Sequence, residues 1–468
     1  MGHNSETAGA GKAATRMLRH HIIGLPSTVA SLPSLVVVLT CLAVYVAVCR
    51  LLRFRRVAAM HRQFDHVYTD RASLAAMTTN DAQAIVATIQ QCEFPFMYTL
   101  AIEFGIFKTY GIPTISRVVG ATRAVTDPLP AAKRAADTLA IISEFSVNPP
   151  TSVRALQAIA RMNYLHSKYR AAGQIRNADL LYTLAACVTE PIRFIGRYEW
   201  RPLSDLERCA IGVFWMGLGE AMGIEYGPTS ETGPRAQGLE KGAHRSWRDG
   251  LEFVDAISAW AEEYERVAMG LHPANIPPAR RLTAMLLQLV PSALEPFCVE
   301  ALTVLMSDRM RAAFAYETPG LAACLVTYGA LAVRRFVLRH LTLPRFGVYR
   351  VASAQANPAT GRVQLNEYLT HPWYNAPTLW NRWGPMALLR RAVGGAVPGD
   401  VRPADKDDRR GAHREDGRGR GKGGRTYLPE GFLVSDLGPF SFMGVGKEET
   451  AVEMERLRTI RTGGCPLG

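Results

Sequence analysis

One stretch of this chain is apolar on every side. Leu32 to Cys49 reads LPSLVVVLTCLAVYVAVC without a charge, and Arg50, Arg53, Arg55 and Arg56 follow at once. A helix of about eighteen such residues is just long enough to cross a hydrocarbon core, where all backbone polar groups must be satisfied internally. The run starts too late, and lacks the small-residue motif, for a cleaved signal peptide, so an uncleaved anchor is expected. Beyond it, apolar positions recur with helical spacing almost throughout, and no apolar/polar alternation persists long enough to predict a sheet.

The periodicity predicts helices over Asp81–Gln91, Tyr98–Thr109 and Ala131–Phe145, the last stopped by Asn148-Pro149-Pro150. Thr151 or Ser152 caps a long helix ending near Gly173. Asp179–Glu190 follows, closed by Pro191, and Ser204-Asp-Leu-Glu207 is a capping box for a helix ending near Gly223. Tyr226–Arg245 reads as a loop. Further helices are expected at Trp247–Gly270, Pro278–Val290 and Ser292–Tyr316. Leu321–Val333 is apolar but short for a span, which predicts a buried or interfacial helix. The class is all-α. The expected organisation is a tail (1–31), an anchor (32–49), one helical catalytic domain (70–345) and an irregular C-terminal extension (346–468). Within that extension the charged segment 402–425 lacks the apolar residues to fold.

The net charge of +13 does not indicate nucleic acid as a partner. Arg402–Arg425 holds nine basic against five acidic residues, and the arginines after the anchor supply much of the remainder. A bilayer surface suits that arginine collar better. Their bias to the C-terminal side of the run favours a cytoplasmic body. The eight cysteines show neither CxxC spacing nor clustering with histidine, which argues against a zinc site or a disulfide framework and fits a reducing cytosol.

No universal catalytic motif is present, so candidate chemistry rests on polar residues set into apolar helices. His166 shares a helical face with Ile159, Met162 and Asn163, which points its imidazole inward. A neutral imidazole there could ligate iron, act as a base, or simply be a satisfied core residue. Arg154 and Arg161 share a stripe about 140° away from His166 and could meet a haem propionate, a substrate carboxylate or a structural partner. Glu220 lies on an apolar stripe with Leu206, Val213 and Gly217, where burial would raise its pKa and suit it to proton transfer. Glu144 is a weaker candidate. Trp200, Trp215, Trp373, Trp380 and Trp383 read first as packing residues.

Several blocks, in order, resemble one fungal family. They are Cys92-Glu-Phe-Pro-Phe-Met97, Tyr110-Gly-Ile-Pro-Thr-Ile-Ser116, Asp179-Leu-Leu-Tyr-Thr-Leu-Ala185, Tyr198-Glu-Trp-Arg201, Leu203-Ser-Asp-Leu-Glu207, Asn381-Arg-Trp-Gly-Pro-Met386 and Arg461-Thr-Gly-Gly-Cys-Pro466. The chain thereby resembles the endoplasmic-reticulum-bound oxygenases of mycophenolic acid biosynthesis, distantly related to bacterial latex-clearing (rubber) oxygenases. The resemblance implies a single-pass protein of the endoplasmic reticulum membrane that uses O2 to cleave a C=C bond in a prenylated, hydrophobic substrate. It also implies haem b or another iron centre. The helix carrying the axial histidine of the bacterial proteins aligns with Tyr182–Ala186, and the matching position is Ala185. The Arg161-x4-His166 spacing does match a pattern of the broader family. On this reading His166 ligates iron, Arg161 and Arg154 hold anionic groups or polarise oxygen, and Glu220 handles protons. The missing histidine favours the alternative, a non-enzymatic membrane-tethered lipid-binding or scaffold protein.

Overall fold

In the computed structural model, residues 27–121, 128–226, 247–368, 371–395, 397–400 and 427–460 are described. The predicted N-terminal tail, the loop after Tyr226, the basic insert and the Arg461–Pro466 motif fall wholly or largely outside these residues. Described residues form helices and no strand; two isolated bridges, Ala352 to Leu365 and Val363 to Phe432, are their only β pairings. The all-α expectation is borne out.

The helices are α1 (Ser27–Arg53), α2 (Arg55–Phe64), α3 (Thr79–Thr88), α4 (Pro95–Thr109), α5 (Pro113–Ala121), α6 (Pro128–Val147), α7 (Val153–Ala171) and α8 (Asn177–Tyr198). There follow α9 (Asp205–Ala221), α10 (Gly250–Ala268), α11 (Ile276–Leu286), α12 (Glu295–Val304), α13 (Asp308–Ala313), α14 (Leu321–His340), α15 (Leu379–Trp383), α16 (Pro385–Ala392) and α17 (Lys447–Ile460).

The chain divides into two units, residues 1–57 with 336–344, and 58–335 with 345–468. In the first, every side chain from Ser34 to Val48 except Val46 is exposed. The Tyr45 hydroxyl donates to the Leu341 carbonyl at 3.2 Å, and Arg53 donates to the Thr342 carbonyl and, at 2.7 Å, to its hydroxyl. By length and composition two helical stretches could cross a membrane: Ser34–Phe64, with a mean hydropathy of 2.6, and α14, with 1.6.

The second unit is the body. α4 lies along α8, α9 packs on both α3 and α10, and α6 on α7. The crossing of α9 and α10 is closest at a glycine pair. A Cβ on Gly212 would come within 2.2 Å of the Gly250 carbonyl oxygen, and one on Gly250 within 2.5 Å of the Cys209 carbonyl. The expected caps are present: Ser152 accepts from the Ala155 amide, and Ser204 and Glu207 form a reciprocal capping box. Glu207 also takes Arg201 bidentately, at 2.6 and 2.8 Å, which explains two of the family-like sequence blocks as one buried ion pair.

Three expectations are corrected. Pro191 does not end α8 but lies inside it, because the helix continues as a buried element to Tyr198. α14 runs on to His340 and is not buried, with Leu321, Leu325, Val326, Tyr328 and Val333 exposed, which removes the buried alternative and leaves the interfacial one standing. Trp380 and Trp383 do not pack inside but are exposed, both on the short helix α15. For α14 and the tryptophans the periodicity holds, and what differs is how many neighbours cover the apolar face.

Candidate functional site

Three helices of the body present matching faces to one cavity. α4 and its cap contribute Tyr98, Thr99, Ile102, Glu103, Ile106 and Tyr110; α6 contributes residues at the same three-and-four spacing from Ala131 to Val147. α11 and the turn after it add Pro278, Arg281, Leu282, Met285, Leu286 and Leu289. The enclosed volume is about 340 Å³, within the range of sites for small organic ligands. The walls are mainly aliphatic. A π-helical turn, Ile89–Glu93, interrupts the end of α3 and turns Gln90 and Gln91 into the lining, where Gln90 donates to the Ser146 carbonyl at 3.0 Å. Such bulges are over-represented at functional sites because they redirect side chains out of helical register.

Glu103 is the carboxyl in this wall. Burial pushes its pKa up to about 7, and the neighbouring Glu367 carboxylate adds to the rise. Glu367 is itself raised by burial. A carboxyl poised near neutrality can both give and take a proton, whereas an ordinary surface glutamate is fully ionised there. Arg134 and Arg281 are the two arginines of the same lining. Tyr98 neighbours Cys187, which does not line the cavity and whose thiol is pushed up to about 12 by burial.

None of the four residues singled out from the sequence lines this cavity. Arg161 has no exposed surface and donates to four backbone carbonyls, those of Leu437 (2.9 Å), Val445 (2.6 Å), Ser435 (3.0 Å) and Phe442 (2.7 Å). It fastens the loop before α17. Arg154 grips Glu144 bidentately at 2.6 and 2.5 Å and donates to the carbonyls of Ala354 and Ser353. The weaker candidate Glu144 is thus buried as that arginine's partner. The expected burial of Glu220 is corrected: the residue is exposed on the outward side of the last turn of α9, between the buried Gly219 and Ala221. His166 is placed between these cases. Its residue is partly exposed, but Nδ1 is buried without a hydrogen-bond partner, and desolvation, helped by Arg134 and Arg170, lowers its pKa to about 4.

The expected iron centre was tested against these residues. His166 is neutral at physiological pH with one nitrogen unpaired, which suits a ligand. Yet among the described residues no histidine lines the cavity, and no three His, Cys, Asp or Glu side chains converge as a metal site would need. Ala185 has no exposed surface, and beside it Ala186 lies so close to α4 that a Cβ on Gly105 would stand 3.1 Å from the Ala186 carbonyl oxygen. Helix packing fills that place. The donors present do not fit a haem held at Ala185 or a cavity iron held by His166.

The sequence offered one signal for Glu103 and it was not read: a lone carboxylate in PFMYTLAIEFGIFK, the same kind of pattern that drew attention to Glu220. The difference is position. Glu103 lies mid-helix with α6 and α11 facing it, while Glu220 sits where its helix ends.

Comparison with characterised proteins now adds a lineage. The chain is 38% identical over 426 residues to ER-bound oxygenase mpaB′ of Penicillium brevicompactum, covering 90% of this chain and 92% of the relative. The chain belongs to the mpaB family of ER-bound oxygenases. Other relatives are mpaB of the same fungus, 38% identical over 76% of this chain and 82% of the relative, and mpaB of Penicillium roqueforti, 41% identical over 57% and 85%. No protein-family model matches the chain.

Proposed function

We propose that this protein is an oxygenase anchored in the endoplasmic reticulum membrane by α1, with its body in the cytoplasm, acting with O2 on a prenylated hydrophobic small molecule. The observation that carries the reading is the aliphatic cavity with the protonatable Glu103 in its wall, in a chain whose relatives are named ER-bound oxygenases. An isoprenoid tail partitions into apolar surroundings at about 0.8 kcal/mol per buried methylene, so such a cavity selects it over polar metabolites. Dry walls also keep water from reactive oxygen species.

The reaction class is oxidative cleavage of a C=C bond. Both atoms of O2 end in the two new carbonyl groups, so the overall conversion balances without an external reductant. The chain's own contribution is to seat the tail between α4, α6 and α11, to exclude water, and to hold or release a proton at a Glu103 carboxyl oxygen. Arg134 and Arg281 suit an anionic head group.

The test is oxygen uptake by detergent-purified full-length protein with a farnesylated aromatic acid, alongside metal analysis and an absorption spectrum. Leu139→Trp, which fills the cavity, is expected to abolish uptake without lowering the melting temperature. Uptake that survives a filled cavity would place the reaction elsewhere. One observation favours a second reading, a membrane-tethered lipid-binding protein: among the described residues no imidazole reaches the cavity. In that case the prenylated ligand binds and no oxygen is consumed.

A further inference from the structure

The two short helices α15 and α16 carry an apolar surface that the body leaves uncovered. Trp380 is 76% exposed and Trp383 56%, whereas the other five tryptophans of the chain are all buried. Met386, Leu389 and Val393 extend the surface along one face at positions i, i+3 and i+7, and all three are exposed. Arg382, Arg390 and Arg391 are interleaved; Arg391 is stacked over Trp383 at 4.2 Å and lies 3.9 Å from the Asp400 carboxylate, which leaves the patch a net positive charge. Indole rings and leucine-type side chains mixed with arginines suit the boundary between acyl chains and anionic head groups, where the rings sit at the interface and the guanidinium groups meet phosphate. A soluble protein partner would not account for the arginine interleaving as directly.

The surface also adjoins the cavity. Gly395, just past α16, lies so close to the turn after α11 that a Cβ there would be 3.2 Å from the carbonyl oxygen of Leu289, a cavity-lining residue. We propose that Trp380, Trp383, Met386, Leu389 and Val393, with their arginines, form a second membrane contact that lays the cavity's α11 wall against an anionic bilayer. This rests on the reading of the chain as membrane-anchored. A prenyl tail would then pass from lipid to cavity without crossing water.

Intrinsic fluorescence tests it in the full-length chain, since α1 contains no tryptophan and only two indoles are exposed. The protein is reconstituted in nanodiscs of phosphatidylcholine and phosphatidylserine, with or without bromine on the acyl chains. Brominated lipid is expected to quench the wild type, and Trp380→Phe with Trp383→Phe to remove most of that quenching while circular dichroism and melting stay unchanged. Equal emission in both kinds of disc, or a doubly substituted chain quenched as strongly as the wild type, would overturn the proposal. Equal quenching without phosphatidylserine would overturn the assignment of an anionic surface. A detergent-stable dimer that Met386→Glu dissociates, with unquenched tryptophans, would assign the patch to a second copy instead. Failure of the chain to insert into nanodiscs at all would count against the anchor reading rather than this one.

Discussion

Replacing Glu103 by glutamine separates a poised carboxyl from an ordinary one. Burial raises the Glu103 pKa from 4.5 to about 7. The native state therefore binds more protons than the unfolded state between these values, and stability falls as pH rises through that window. Below 4.5 both states are protonated and nothing is lost; above 7 both are ionised and the full penalty applies. At about 1.4 kcal/mol per pH unit the interval amounts to roughly 3 kcal/mol, an upper figure because water entering the cavity would screen the charge. Glutamine keeps the shape and removes the ionisation. Glu103→Gln should thus melt close to wild type near pH 5 and gain on it progressively up to pH 8, by about 2–3 kcal/mol. Denaturant unfolding of the detergent-purified protein at pH 5, 6, 7 and 8 reads the difference directly. Oxygen uptake should lose its pH dependence around 7 in the variant, since the group that titrates there is gone. A wild-type-to-variant difference that stays flat across the range would refute both the burial of this carboxyl and its assignment as the proton-handling group.

Other outcomes follow from the same geometry. Arg161→Ala leaves four carbonyls without their donor; with unsatisfied buried groups costing about 1–3 kcal/mol each, a loss of at least about 4 kcal/mol is expected. Limited proteolysis should then cut first between Ser435 and Val445. Gly212→Ala drives a methyl into the Gly250 backbone, and a drop of about 1–3 kcal/mol in unfolding free energy should accompany the shift of α9 from α10. His166→Ala should keep oxygen uptake and any bound iron, because the imidazole stands outside the cavity; loss of both in a chain that still melts normally would return the redox centre to His166.

The local part of this fold was legible because capping and periodicity are encoded by neighbours in sequence. Ser152 and Ser204 cap the predicted helices, and the hydrophobic spacing of α4, α6 and α11 shows which face of each turns inward. What periodicity cannot show is what lies opposite that face. Arg161 and the His166 Nδ1 are both buried on α7, yet one side chain meets four carbonyls of a loop 274–284 residues further along the chain, and the other nitrogen meets none. The same limit explains the tryptophans: an indole in a short amphipathic helix looks identical in sequence whether protein or lipid covers it. Glu103 and Glu220 make the point most sharply. Each is a single carboxylate in an apolar helix, and only the facing elements decide that one is poised near neutrality and the other is at the surface. A site assembled from three helices that are distant in sequence, and closed by Tyr349, Val351 and Tyr368 from the C-terminal segment, becomes visible only once all of them are in place.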